Sequence, residues 1–153
     1  MRLGATVVRS LRESALWVFG ALALIVLAAL ASYDRNDPSF ATTGEPGPIS
    51  NFIGPLGAHL SGLLIMLFGA PAFLFPIMIG LTGWLLYQDR SKIDAPSRAT
   101  VAFRTVGFLL TLITSCGLAS LHFTVATYPS SAGGVLGSFV GQGLEAGLSF
   151  IKR

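Results

Sequence analysis

Charge in this chain is confined to short clusters separated by long uncharged runs, and that spacing leaves few folds open. From Ser14 to Tyr33 twenty residues pass without an Asp, Glu, Lys or Arg. At about 1.5 Å per helical residue such a run matches a hydrocarbon core roughly 30 Å thick. Arg2, Arg9 and Arg12 precede it, while Asp34, Arg35, Asp37 and Glu45 follow. The excess of arginine on the amino side predicts a cytoplasmic N-terminus. The same arrangement describes a secretory signal peptide, with Ala29-Leu30-Ala31 as a small-residue cleavage site ahead of Ser32. Amino-terminal sequencing separates the two, since a mature chain starting at Ser32 lacks the first helix.

The segment from Pro46 to Gln88 is also free of Asp, Glu, Lys and Arg, but it is broken by Pro48, Pro55, Pro71 and Pro76. The cluster beyond it, Asp89, Arg90, Lys92, Asp94, Arg98 and Arg104, has four cations against two anions and is expected inside. An outer loop and an inner loop are joined by an odd number of crossings, and one is the economical number. It is placed at residues 69–88, with Trp84 and Tyr87 at the inner interface, Pro71 tolerated in the first turn and Pro76 expected to kink the helix. The preceding leucines 56, 60, 63, 64 and 67 follow a helical spacing, which predicts an amphipathic helix lying along the outer membrane face. A third span is expected to begin around Val101 or Thr105 and to run to Leu121, assigned as 105–121, with Arg104 reaching back to the headgroups.

The tail is read as a short outer amphipathic helix. Glycines 134, 137, 141, 143 and 147 each cost a helix ~1 kcal/mol relative to alanine, and Glu145 in hydrocarbon adds about 2.5 kcal/mol or more. The predicted fold class is therefore all-α, an integral membrane helical bundle with three transmembrane helices plus outer-face amphipathic helices. Its segments are a cytoplasmic N-terminus (1–13), a first span (14–33), an outer loop with a helix (34–68), a second span (69–88), a cytoplasmic loop (89–104), a third span (105–121) and an outer glycine-rich segment (122–153). Composition agrees. Of 153 residues 52% are hydrophobic and 11% charged, against roughly 25% charged in an ordinary soluble domain.

Chemistry is sparse. The two lysines, Lys92 and Lys152, are followed by Ile93 and Arg153, so no phosphate loop of the Gly…Lys-Ser/Thr type exists. His59 and His122 stand far apart with no Cys or Glu at ligand spacing, which argues against a metal centre. Cys116 is the one cysteine and lies in an apolar run, so no disulfide forms within the chain and an inert packing role is expected. No catalytic residue, cofactor or metal is assigned, and ten cations against seven acids do not make a nucleic-acid surface.

Two features remain. Gly107, Thr111, Ser115 and Ala119 recur every fourth residue, giving one small face on the third helix that serves either packing within the chain or a homo-oligomer seam. In the outer loop, Asp34, Asp37, Pro38 and Ser39 form a motif in which Asp37 before Pro38 is a turn signal. A small transport or channel subunit, with the small face lining a hydrated lumen, is the alternative reading.

Three stretches carry a family resemblance: Ser32-Tyr33 with Asp37-Pro38-Ser39-Phe40 directly after the first span; Asn51 to Ala58 with Gly54-Pro55 and Gly57-Ala58, leading through Leu67-Phe68-Gly69 into the second; and Thr114-Ser115-Cys116-Gly117-Leu118-Ala119 closing the third, followed by Gly133-Gly134-Val135-Leu136-Gly137. In order and spacing these resemble the N-terminal membrane domain of the FtsK/SpoIIIE family of DNA translocases, over almost the whole chain. Arg35 stands where many members have proline. The resemblance implies a multi-pass protein of the bacterial inner membrane, N-terminus cytoplasmic, located at the division septum and coupling division to chromosome segregation. It also implies a homo-oligomer, hexameric in the family, contacts with other division proteins, and an ATP-driven motor beyond a fourth span. The chain is expected to stop before that span and the motor, so it is expected to be no enzyme and to make no direct DNA contact.

Overall fold

The computed structural model describes residues 2–39, 48–88, 97–123 and 131–151. Among them the chain is helical: α1 Arg2–Ala31, α2 Pro55–Phe68, a 3₁₀ turn Ala70–Phe73, α3 Leu74–Gln88, α4 Arg98–His122 and α5 Gly134–Ile151. Residues 89–96 of the loop expected inside, 40–47 of the loop expected outside, and the connection 124–130 lie outside the described residues. Among the described residues three stretches are long and apolar enough to cross a membrane: Ser10–Ala31, Ala70–Gln88 and Arg98–His122. This is a membrane helical bundle, as the uncharged runs predict.

Local chemistry sets the helix ends. Proline at the first position of α2 loses no helical hydrogen bond. At its other end Gly69 adopts φ 63° and donates its N–H to the Ile65 carbonyl at 2.8 Å. Only glycine takes that conformation without a steric penalty, so α2 stops there. Ser97 caps α4 by accepting the Thr100 N–H at 3.2 Å. The helix thus begins at Arg98, three residues before Val101 and seven before Thr105, adding up to about 10 Å of helix at the charged end. Pro76 differs from expectation as well. It is the third residue of α3, where the missing N–H has no helical partner to lose, so the break falls on Gly69 and the 3₁₀ turn instead.

Helices α1 and α3 run antiparallel in close contact. A Cβ on Gly83 would sit 2.6 Å from that of Phe19, and one on Gly80 would sit 3.8 Å from that of Ala23. The core lies toward the other end of α1, where Val26, Leu30, Ile65 and Ala72 are buried together with Leu60, Leu64, Phe68, Phe73 and Ile79 packed against them. Phe68, Phe75 and Phe108 then join α2, α3 and α4 through ring centroids 5.0 and 5.5 Å apart. The leucines of α2 do not share one role. Leu60 and Leu64 pack inward, whereas Leu56, Leu63 and Leu67 are exposed.

Candidate functional site

The outer-loop motif folds into a polar knot over the end of α1. Asp34 Oδ1 accepts the Asn36 N–H at 2.8 Å, a local turn. Asp37 is different: it is only 2% exposed, and its two carboxylate oxygens accept the backbone N–H groups of Ser50, at 2.7 Å, and Asn51, at 3.0 Å. A carboxylate satisfied in this way clamps the two sides of the loop together. Pro38 and Ser39 follow directly and are half-buried. Ser39 lies against Gly62 of α2, where a Cβ would come within 2.7 Å of the serine Cβ and Oγ.

Asn51, 5% exposed, extends the knot into the bundle. Its Nδ2 donates to the Ala29 carbonyl at 2.8 Å and reaches the Ser32 carbonyl at 3.2 Å and Ser61 Oγ at 3.4 Å. Its Oδ1 accepts the Ile53 N–H at 3.1 Å. Ser32 Oγ donates to the Ala28 carbonyl at 2.7 Å and accepts the Phe52 N–H at 3.1 Å. The last carbonyls of a helix have no partner of their own, and α1 has no basic residue in its last turn. Side chains from the loop supply the missing donors. Gly57 leaves the space that Asn51 fills, because a side chain there would overlap the amide.

In the sequence Ser32 and Asn51 stand out only as members of the stretches that carry the resemblance, with no role attached, and Ser61 not at all. The available signal was an uncapped helix end in an apolar setting, followed by a nearly apolar segment with few side chains able to cap it.

The small face of α4 divides. Ala119 is buried and Ser115 half-buried, but Gly107 and Thr111 are exposed. A Cβ at Gly107 would meet nothing within 4 Å, and Thr111 Oγ1 donates back to the Gly107 carbonyl at 2.9 Å. The close packing of α4 uses a neighbouring stripe, Leu112, Cys116, Gly117 and Ser120. A Cβ on Gly117 would meet Val140 Cγ1 at 2.8 Å; one on Gly137 would overlap the Cys116 carbonyl, and one on Gly141 would lie 3.0 Å from Ser120 Oγ. Contacts rise together along both chains, so α5 leaves the bundle in the same direction as α4. Ser120 Oγ lies 2.8 Å from the carbonyls of both Gly117 and Gly137, which share its proton.

Where α2 ends, α5 begins. The Ala70 N–H donates to the Ala132 carbonyl at 2.8 Å, and Cys116 Sγ donates to the Phe68 carbonyl at 3.5 Å. This junction and the Asp37–Asn51 knot are packing and capping devices. Among the described residues no three of His, Cys, Asp and Glu converge as metal ligands, and every buried side-chain polar atom has a partner. The arrangement can hold helices at fixed angles and fix the two flanks of the loop that follows α1.

A family model described as the 4TM region of DNA translocase FtsK/SpoIIIE matches residues 8–152. The DNA translocase FtsK of Pseudomonas syringae pv. tomato is 35% identical over 134 residues, covering 86% of this chain and 17% of that protein. The DNA translocase FtsK of Shewanella oneidensis is 35% identical over 134 residues, 88% of this chain and 15% of the relative. That of Pseudomonas aeruginosa is 31% identical over 135 residues, 86% and 17%. The chain thus spans less than a fifth of the length of the relatives it matches. No solved structure matches.

Proposed function

Because this chain belongs to the family formed by the 4TM region of DNA translocase FtsK/SpoIIIE, we propose that it anchors a division translocase in the inner membrane and presents its outer loop to other division proteins at the septum. The membrane-anchor role follows from the family and from the three apolar helices. The septal role is supported by the knot around Asp37 and Asn51, which ties both flanks of the loop, residues 34–39 and 48–54, to the end of α1. Flanks already fixed in place lower the entropy cost of binding a partner there.

In this reading the N-terminus is cytoplasmic, and the exposed Gly107–Thr111 face of α4 is available to a second copy, so that the membrane region assembles as the motor does. Coupling of division to chromosome segregation belongs to the whole translocase, and this region supplies its attachment rather than ATP hydrolysis or DNA contact.

The test is a fluorescent fusion of the chain expressed in dividing cells. A mid-cell band is expected, and it is expected to disperse in an Asp37→Ala, Asn51→Ala double variant that still inserts in the membrane. Uniform membrane fluorescence of the parent chain overturns the septal role. The purified chain is expected to turn over no ATP above a vector control and, in vesicles, to pass no ions.

A further inference from the structure

Helix α2 is apolar on both sides, and only one side is packed. Ala58, Ser61 and Ile65 are buried against α1 and its neighbours. On the other side Leu56 is 76% exposed, and Leu63 and Leu67, seven and eleven residues on, continue the same stripe. Phe52 begins it: 84% exposed, yet held by its own N–H on Ser32 Oγ and by the Asn51–Gly54 turn, in which the Gly54 N–H donates to the Asn51 carbonyl at 2.8 Å. His59 lies on this side too, and its Nδ1 donates to the Pro55 carbonyl at 2.8 Å, so that ring nitrogen is satisfied within the helix. An apolar face of this length does not stay in water.

The level of α2 against α1 identifies what covers it. Asn51 is tied to Ala29 and Ser32, at the end of the apolar span Ser10–Ala31. Ile65 packs with Val26 and Leu30. Val26 is five residues before Ala31, so α2 lies up to about 8 Å inside the end of the span along the axis of α1, within the ~5–10 Å to which interfacial helices sink. On α1, Leu24, Ile25 and Leu27, close in sequence to Val26, are exposed as well, and the sequence from 46 to 88 has no charge to keep α2 out of lipid.

We infer that α2 is sunk in the bilayer leaflet at the Tyr33 end of the bundle, with Phe52 and Leu56 forming a rigid wedge at the boundary between headgroups and acyl chains. The wedge fixes the depth of α1, because Asn51 and Ser32 join the two without a flexible link. The inference rests on the membrane reading above and goes beyond the outer-face helix expected from sequence by fixing its depth in the leaflet and the residues that enter lipid first.

The full chain carrying Trp17→Phe and Trp84→Phe is reconstituted in phosphatidylcholine vesicles with a single reporter, Phe52→Trp or Leu56→Trp. Each reporter is expected to emit to the blue of Arg35→Trp in the same background and to lose most of its intensity to lipids brominated near their carbonyls. Acrylamide is expected to quench Arg35→Trp several-fold more strongly. Quenching of both reporters by acrylamide to the level of Arg35→Trp overturns the inference, as does shielding from acrylamide and bromolipid alike, which indicates a protein covering. Trp17 retained alone in a Trp84→Phe chain reports membrane insertion itself. If bromolipids quench Trp17 but neither reporter, only the wedge fails; if they quench none, the membrane reading fails with it.

Discussion

Asp37 and Asn51 are one interaction divided between two sides of a loop. The carboxylate accepts two backbone N–H groups, one of them Asn51's own, and the Asn51 amide donates to the carbonyls left over at the end of α1. Replacing Asp37 by alanine leaves the Ser50 and Asn51 donors without that acceptor, and a buried donor in that state costs about 1–3 kcal/mol. An Asp37→Ala chain is expected to be destabilised by ~2–3 kcal/mol, read as a lower midpoint of unfolding of the purified protein in micelles. Asp37→Asn keeps one acceptor oxygen and is expected to lose less. An unchanged midpoint for Asp37→Ala removes the knot as a structural device. Asp34, whose bond is a local turn near the surface, is expected to tolerate alanine in the same assay.

Helix contacts depend on where the chain has no side chain. Gly69 needs a left-handed backbone, and a Cβ there would run into the Ala132 backbone. Gly69→Ala is therefore expected to lower stability by about 2 kcal/mol or more, since the left-handed conformation alone costs roughly 1–2 kcal/mol. On α5, Gly137→Leu forces a branched side chain into the Cys116 carbonyl and is expected to separate α5 from α4. Gly107→Leu meets nothing and is expected to leave the unfolding midpoint unaltered. That contrast also tests the assembly proposal: Gly107→Leu with Ser115→Leu is expected to weaken crosslinking between copies while preserving the fold. Crosslinking that matches the parent chain moves the seam elsewhere.

For the whole molecule the decisive quantity is threading. Three helices are long enough to cross, α3 is antiparallel to α1, and α5 leaves with α4. Reporter fusions after Glu45 and after Lys92 are expected on opposite sides of the membrane, the first outside and the second in the cytoplasm. Signals on one side for both refute the orientation and the loop assignment that depends on it. The family description counts four membrane segments; among the described residues α2 is a shorter apolar helix outside the three candidate spans.

The sequence alone determined the solvent and the three segments long and apolar enough to cross it, because hydropathy and charge act over contiguous stretches of chain. It also showed that Asp37 sits at a turn and that small residues recur along α4. Only the tertiary structure decided which of these meet a partner. A helical period defines faces but does not say which face has a neighbour, so the stripe through Gly107 and the stripe through Cys116 and Gly117 look equivalent until α5 is placed. The same holds for Asn51. Its donation to Ala29 crosses 22 positions of sequence, and a hydrogen bond between distant residues leaves no periodic trace in either segment.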